Sequence, residues 1–435
     1  MATNTDMLLE LNEVSLLILI LSFLPFKEAV RTCILSKQWK DIWKQTMSIE
    51  FNELFFVKHG QQYDDETRQL QRNTFLNFIK SFMENFQGKD VIKFFLKVST
   101  PGNIRDTVES CVTFATKHEV KELGLDFSDP NWDEITSDEN YDALFELPNH
   151  VYENRSIKTL KLYSCSFVLH GLLNFEAIKE VSLGWIEVRF HTLRTLLSTC
   201  NTIENLSLKK CWNLEHFDMM LYGVKLGLRR LVIDKCDLDH NYFTFKAPNL
   251  KFFKYSGVVG SFEMEVNKHV MEEAEIDFAL MPNFDVFGNQ LYKLLEDLYP
   301  VRVLTVDSFL LQVIPSGDEP VRIQGDLNVR HLIIKTQMHH HEWCGFRFLL
   351  NSCPTLEKLT LEIDPQIILP DYEAPFHVDF KKFWHGPLIV QKCLKNTLKE
   401  VEVNRFRGTR GEFTILQYHS SRESVAKDEY QHSKE

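Results

Sequence analysis

Apolar and polar residues alternate in short runs that recur along most of the chain. One of them, "IKTLKLYSC", begins at Ile157, and runs of the same LxxLxL form begin at Ile178, Ile203, Leu228 and Leu250. Alternation with a period of two places the apolar side chains on one face of a strand. Each run therefore predicts a short strand with one buried face. The residues between runs, such as "FHTLRTLLSTC", predict helical returns.

The spacing of the runs predicts a repeat architecture. The first five lie 21, 25, 25 and 22 residues apart, inside the window of 20 to 29 residues that is typical of leucine-rich repeats. Six less evenly spaced copies bring the clear runs to eleven, and they begin at Val91, Val120, Val301, Val329, Leu356 and Leu398. A weaker twelfth copy covers Glu273 to Phe278. Alternating strand and helix predict an α/β fold, a curved solenoid with a parallel sheet on its concave face.

The positions of the cysteines support this prediction. Cys165, Cys211 and Cys236 each lie three residues after the last apolar residue of a run, at the repeat position that takes Asn or Cys. Cys200 and Cys353 match each other in "LLSTCNTIENLSL" and "LLNSCPTLEKLTL". All nine cysteines of the chain lie outside CxxC pairs, which favours reduced thiols over a disulfide framework or a zinc ribbon.

The N-terminal stretch has a helical pattern instead. "LLILILSFL", from Leu16, has one polar residue in nine, and Pro25 is expected to end this first helix. The next apolar residues follow one helix face: Phe26, Ala29, Val30, Cys33 and Ile34. Ser36 is a suitable N-cap for a third helix, "KQWKDIWKQ", with Trp39 and Trp43 one turn apart. Three short helices cannot bury a first helix that is apolar nearly all round, so the rest of the chain or a partner must cover it.

The sequence of this stretch resembles the F-box of plant F-box/leucine-rich-repeat proteins. The matching residues are Ile20, Leu21, Ser22, Phe23, Leu24 and Pro25, then Lys27 to Val30, then Leu35, Ser36, Lys37, Trp39 and Trp43. The resemblance implies a Skp-type adaptor as partner and, through it, a cullin and a RING subunit. The adaptor-binding residues it implies are Leu16, Leu17, Ile20, Leu21, Leu24, Pro25, Val30, Leu35, Trp39 and Trp43. The alternative is that some of these residues, Trp43 above all, pack in the core of the F-box itself and do not contact the adaptor.

Two features depart from the family pattern. F-boxes of this family usually open with L-P-D-E, and here residues 12–15 read "NEVS", which is expected to weaken adaptor binding. The stretch "CLKNTLKEVEVNRFRGTRGEFTILQY", from Cys393, resembles the opening of the C-terminal FBD module of many members. A polar tail follows it, so the FBD is interpreted as truncated.

These features divide the chain into five predicted segments. They are an F-box (8–50), a helical connector that caps the solenoid (51–90), the leucine-rich-repeat solenoid (91–390), a truncated FBD-like segment (391–418) and a disordered polar tail (419–435).

Composition excludes several classes of function. A net charge of −12 argues against nucleic-acid binding, which normally requires a basic face. No basic residue precedes Lys27, so a signal peptide is not indicated, and nine apolar residues are far fewer than the roughly 20 that span a bilayer. We therefore expect a protein of the cytoplasm, the nucleus or both, with neither nucleic acid nor a membrane as partner.

Motifs of catalysis are missing from the sequence. The chain has no G-x-S-x-G, P-loop, H-E-x-x-H or Rossmann glycine pattern, so we predict no enzyme, no catalytic residue and no cofactor. The stretch "MHHHEWC", from Met338, could ligate a metal only if the backbone folded its neighbours around one ion. We interpret it as a polar loop and assign no metal. The acidic stretch from Asp126 to Asn140 is interpreted as a solvated insertion, with docking of a basic partner as the alternative.

The function that these inferences favour is binding. The chain is predicted to be a substrate receptor of an SCF-type cullin–RING ubiquitin ligase, with the F-box on the adaptor and the solenoid on a target protein. One alternative is a repeat scaffold whose degraded F-box has no ligase role. The other is a receptor that senses a small molecule. The sequence does not mark the residues that choose the target.

Overall fold

The computed structural model describes most of the chain as two compact units, Met1–Ile203 and Glu204–Glu435. The described residues are 13–58, 64–128, 145–168, 174–214, 217–220, 226–238, 242–267, 269–279, 287–314, 323, 325–365, 368–369, 392–409 and 412–413. The predicted polar tail and all but the first three residues of the acidic stretch from Asp126 lie outside them. Within the described residues, no helix has both the length and the apolar character that crossing a bilayer requires.

The first unit combines helices with a parallel sheet. Its α-helices are α1 (Glu13–Ser22), α2 (Phe26–Arg31), α3 (Asp65–Glu84), α4 (Arg105–Lys117) and α5 (Phe190–Thr199). Its strands are β1 (Ser48–Asn52), β2 (Lys93–Lys97), β3 (Glu122–Asp126), β4 (Phe145–Glu146), β5 (Thr159–Tyr163), β6 (Cys165–Ser166) and β7 (Glu180–Gly184). Strands pair in parallel in the order β1-β2-β3-β5-β7, and β4 pairs separately with β6.

The second unit continues the same pattern of strands. Its strands are β8 (Asn205–Lys209), β9 (Phe217–Asp218), β10 (Arg230–Asp234), β11 (Tyr242–Ala247), β12 (Phe252–Gly257), β13 (Ser261–Val266), β14 (Glu273–Phe278), β15 (Val303–Val306), β16 (His331–Thr336), β17 (Lys358–Ile363) and β18 (Glu400–Asn404). Its α-helices are α6 (Gly288–Asp297), α7 (Ser308–Val313), α8 (Trp343–Ser352) and α9 (Lys392–Asn396). Eight strands pair in parallel in the order β8-β10-β12-β14-β15-β16-β17-β18.

All twelve predicted runs form strands, which confirms the repeat prediction. The weaker copy at Glu273–Phe278 is β14, and its side chains alternate between half-buried and buried. The paired strands are in register, so that Leu231 of β10 lies opposite Leu206 of β8 and Phe253 of β12. This register stacks the inward side chains into one apolar core within the unit.

Strand β1 of the first unit, which joins the main sheet, was not predicted. β1 pairs residue by residue with β2 and buries Ile49 and Phe51, which are 0% and 1% exposed. Its sequence, "SIEFN", lacks the LxxLxL form, so the search for repeats did not find it. The boundary that the sequence suggested between F-box and connector, at residue 50, falls inside this strand.

Several predicted helical returns contain strands instead: β4 and β6 in the first unit, and β9, β11 and β13 in the second. β9, β11 and β13 form a separate parallel sheet, in which the rings of Phe217 and Phe243 stack with centroids 4.7 Å apart. The correction has a local cause, because "YFTFKA" in β11 alternates with a period of two and buries Phe243, Phe245 and Ala247. An extended residue advances about 3.3 Å along the chain and a helical one 1.5 Å. A short repeat can therefore span its return with fewer residues if the return is extended. The returns at α5 and α8 are helical, as predicted.

The cysteines of the repeats are buried as predicted. Cys165, Cys211 and Cys236 are 0%, 1% and 8% exposed. Cys200 and Cys353 end α5 and α8 with closely similar backbone angles, φ −102° and ψ 68° against φ −114° and ψ 71°. Burial raises the pKa of both thiols. Protonated, enclosed thiols at these positions are core groups and poor nucleophiles.

A buried carboxylate in the second unit gives its stability a specific pH dependence. Asp307 is 3% exposed and accepts hydrogen bonds from the backbone N–H groups of Phe278 (2.9 Å) and Leu310 (3.2 Å), which ties the end of β14 to the start of α7. Burial raises the pKa of Asp307 to about 7, although both hydrogen bonds favour the charged form. Between the unfolded value near 3.8 and about 7, the folded state therefore holds the extra proton.

Asp307→Asn is expected to remove this dependence. The contribution of Asp307 to the free energy of unfolding is full below about pH 3.8, falls by up to about 1.4 kcal/mol per pH unit as the pH rises, and is lost above about pH 7. Urea unfolding of wild type and variant between pH 5 and 8 measures it. The unfolding free energy of wild type minus that of the variant should fall as the pH rises towards 7. A constant difference across that range would contradict the assignment.

Candidate functional site

Helix α1 has two apolar faces, and only one of them is covered within the first unit. Leu17, Leu21 and Leu24 follow the i, i+4, i+7 spacing of one face and point inward. The other face is open to solvent, and its side chains follow the same spacing one residue earlier: Leu16 (39% exposed), Ile20 (43%) and Phe23 (79%). The structure therefore explains why the sequence of this helix is apolar nearly all round.

The inward face belongs to a small core of its own. Leu21, Ala29 and Ile42 are buried together, and five partly buried side chains pack against them: Leu17, Ile18, Leu24, Trp39 and Trp43. Pro25 separates α1 from α2, and its carbonyl oxygen accepts the backbone N–H groups of Glu28 and Ala29, both at 2.9 Å. Proline is well placed there, because the first turn of a helix does not need its missing N–H.

The predicted third helix is not α-helical. Residues 37–41 form turns, and Ile42–Gln45 is a single 3₁₀ turn. Ser36 does act as a local cap, since its Oγ accepts the N–H of Gln38 at 3.2 Å. The Nε1 of Trp43 donates to the carbonyl of Lys40 at 2.9 Å. A segment this short gains little free energy from forming an α-helix, so the packing of its tryptophan side chains determines its backbone conformation.

A second correction concerns Ile34, which was predicted on the inward face of α2. The helix ends at Arg31 and continues as a 3₁₀ turn, Thr32–Ile34. Three residues per turn replace 3.6, so the predicted face is not continued. Ile34 is 83% exposed and the next residue, Leu35, is 64% exposed. Both are therefore exposed apolar side chains of the same small helical module.

Trp43 and Phe26 attach these helices to the rest of the first unit. The ring of Trp43 is parallel to that of Phe78 on α3, with centroids 6.4 Å apart, and lies 5.6 Å from that of Phe82. Phe26 meets Phe82 and Phe51 edge to face at 5.5 and 5.8 Å. Such pairs contribute about 0.5–1.5 kcal/mol each beyond their burial. Trp43 is therefore a core residue, the alternative that the sequence left open.

The structure divides the ten residues proposed for the adaptor contact into three groups. The exposed ones are Leu16, Ile20, Pro25 and Leu35, and the partly buried ones are Leu17, Leu24, Val30, Trp39 and Trp43. Leu21 is 0% exposed and packs with Ala29 and Ile42, so in this structure it holds α1 to its neighbours. Three exposed apolar residues were missed, namely Val14, Phe23 and Ile34. We call Leu16, Ile20, Phe23, Ile34 and Leu35 the apolar surface.

Two residues of the apolar surface, Ile34 and Leu35, lie on a basic segment of an acidic chain. Residues 27–44 contain five basic and two acidic side chains, against a net charge of −12 for the whole protein. Arg31 pairs with Glu28 and Lys44 with Asp41, each at 2.7 Å. Lys27, Lys37 and Lys40 are exposed. The positive charge that remains favours a partner with acidic groups around an apolar contact.

A second candidate surface is the half-exposed face of the sheet in the second unit. Glu275 on β14 accepts hydrogen bonds from Lys254 on β12 (2.8 Å) and from Lys335 on β16 (3.0 Å). Burial would raise the pKa of Glu275, but these two lysines outweigh it and the pKa is lowered. Lys358 on β17 pairs similarly with Glu400 (2.6 Å) and Glu402 (3.0 Å) on β18. The described part of this face thus carries a lattice of paired charges.

Comparison with known proteins assigns both parts of the chain. The F-box domain model matches residues 8–49, and a model described as the At1g61320/AtMIF1 LRR domain matches residues 82–426. The putative F-box/LRR-repeat protein At1g56400 of Arabidopsis thaliana is 30% identical over 412 residues, covering 93% of this chain and 84% of that protein.

Two further relatives from Arabidopsis thaliana agree. The F-box protein At3g62230 is 32% identical over 408 residues, covering 93% of this chain and 86% of its own, and the putative F-box/FBD/LRR-repeat protein At5g62970 is 28% identical over 425 residues, covering 91% and 85%. Helices with an uncovered apolar face, followed by parallel strands at repeat spacing, have the same explanation: the chain belongs to the F-box/LRR-repeat proteins.

Proposed function

We propose that this protein is the substrate receptor of an SCF-type cullin–RING ubiquitin ligase. The observation that carries the proposal is the apolar surface, whose side chains are 39–83% exposed on helices that already have a complete core. Large apolar side chains grouped at the surface of a small helical module mark a protein-binding site. In a member of this family the occupant is a Skp-type adaptor, which brings the cullin and RING subunits.

The protein acts in this proposal by bringing two partners together. The adaptor binds the first unit, and a target protein binds the half-exposed sheet faces of the repeats. Fixing a target near a charged ubiquitin-conjugating enzyme raises the effective concentration of its lysines, so the bond-forming chemistry takes place entirely on partners. We propose the cytoplasm or the nucleus as its location, where cysteines remain reduced.

Isothermal titration of the full-length chain with a purified Skp-type adaptor tests the proposal. We expect saturable binding at one site per chain. The residues "NEVS" at positions 12–15 bear on the affinity, because they replace the usual opening of the box. Failure of a protein that is folded by circular dichroism to bind at micromolar concentrations would favour the second candidate function, a repeat scaffold without a ligase role.

Charge reversal beside the apolar surface is expected to weaken the complex. Lys37→Glu with Lys40→Glu should lower adaptor affinity about tenfold at low salt, and the effect should shrink above about 0.5 M salt as charges are screened. Lys80→Glu with Lys89→Glu is the matched control, since both lysines are exposed in the same unit. Equal losses in the two double variants would mean that net charge alone, and no local complementarity, governs binding.

A further inference from the structure

The histidines at 339–341 lie on a turn that a buried carboxylate holds in place. The turn connects β16 to α8, with Met338 in the left-handed region (φ 60°) and a 3₁₀ turn at His340–Glu342. Glu342 is 1% exposed and accepts hydrogen bonds from Thr336 Oγ1 (2.9 Å), Gln337 N (3.2 Å) and His339 N (2.6 Å). These hydrogen bonds hold the backbone of the turn in place. They therefore fix the direction in which the three histidine side chains project from it.

The three imidazole rings converge on one side of this turn. Ring centroids are 4.0 Å apart for His339 and His340, and 4.4 Å apart for each of the other two pairs. One nitrogen from each ring can be chosen so that the three atoms lie within 4.8 Å of one another. His339 and His341 are half-buried and His340 is exposed, which leaves the cluster reachable from solvent. The condition that the sequence could not test, a backbone folded around the three neighbours, is met here.

The chemistry of the donors fits a transition-metal ion. Imidazole nitrogen is a common ligand of zinc and of other first-row transition metals. Neutral imidazole is the form that ligates a metal. Metal–nitrogen distances of 2.0–2.1 Å in a tetrahedron require nitrogens about 3.4 Å apart, so the nitrogens need to approach one another by up to about 1.4 Å.

We propose that His339, His340 and His341 form a binding site for a divalent transition-metal ion of the zinc class. Three histidine ligands leave a fourth position for water or for a group supplied by a partner, and imidazole suits Zn²⁺, Ni²⁺ and Cu²⁺ better than Mg²⁺ or Ca²⁺. Glu342 supports the site through the backbone of His339. The site lies in the second unit and shares no residue with the proposed adaptor contact, so the proposal is independent of that function.

Titration of the full-length, metal-free chain with Zn²⁺ by calorimetry tests the site. We expect one ion per chain, and binding should raise the melting temperature in step with the Zn²⁺ concentration. His340→Ala should weaken binding about tenfold or more, and His340→Ala with His341→Ala about a hundredfold. Co²⁺ titration gives a second readout, because its visible absorption reports nitrogen coordination and should disappear in the double variant.

The control removes the same number of histidines elsewhere. His191→Ala with His269→Ala, both exposed, should leave Zn²⁺ affinity and the Co²⁺ spectrum unchanged. Absence of Zn²⁺ binding below about 1 mM, or equal binding by wild type and the His340/His341 variant, would overturn the proposal and leave the stretch as the polar turn that the sequence indicated. Loss of binding in the control alone would place the ion at other histidines and overturn it equally.

Discussion

Phe23→Asp combined with Ile34→Asp should abolish adaptor binding without unfolding the protein. The two side chains are 79% and 83% exposed, so replacing them costs the fold little. In the proposed complex each aspartate would lie in an apolar contact, with an unpaired charge that costs ~2 kcal/mol or more. The expected loss of affinity is at least about a hundredfold, measured by titration with the purified adaptor. These positions are better tests than Leu24, which packs on the core of the box.

The matched control uses exposed apolar residues of the same unit that lie outside the apolar surface. Leu70→Asp with Ile92→Asp alters side chains that are 68% and 47% exposed. It should bind the adaptor like wild type. Wild-type affinity in the Phe23/Ile34 variant, with an unchanged circular dichroism spectrum, would remove the apolar surface from the adaptor contact.

Gly345→Val should strongly destabilise the second unit. A Cβ at Gly345 would lie 2.2 Å from the carbonyl oxygen and 2.5 Å from the Cα of Leu311, so α8 approaches the backbone of α7 more closely than any side chain allows. A flexible side chain could move aside, but this neighbour is main chain. We expect a loss of about 3 kcal/mol or more in the free energy of unfolding by urea, and a smaller loss for Gly345→Ala.

Gly325→Val in the same unit is the control, since a Cβ at that position meets nothing within 4 Å. Its unfolding free energy should stay close to that of wild type. Equal stability of the Gly345 and Gly325 variants would show that the contact between α7 and α8 relaxes at little cost.

The repeat strands could be predicted because their signal is local and recurs. The alternation within each LxxLxL run indicates which of its side chains face inward. The regular spacing of the runs allows a weak copy such as β14 to be recognised. β1 has one such run without the repeat form, so its place in the sheet depends on pairing with β2, which only the fold reveals. The strand returns β11 and β13 show their period-two alternation in the sequence, but the expectation of helices obscured it.

The sequence predicted that the candidate site is an apolar surface of short helices, but it identified only some of the residues that are exposed there. The sequence located the helices of the box and identified α1 as apolar nearly all round, and a helical projection separates Leu21 from Ile20. The exposure of Ile34 could not be predicted in this way, because the change from α-helix to 3₁₀ turn after Arg31 depends on packing around it. Convergence of the three histidines depends on the burial of Glu342, which the sequence does not show.

The aromatic contacts of Trp43 and Phe26 have a mechanical consequence. Their rings bridge the N-terminal helices to α3 and β1, and the same rings connect onward, since Phe51 meets Phe94 of β2 at 5.7 Å. Interlocked rings resist bending far better than a flexible tether does. An adaptor bound to α1 would therefore move together with the first strands of the sheet as one rigid body. In the proposed complex, the orientation of the adaptor relative to these strands would be set when the chain folds.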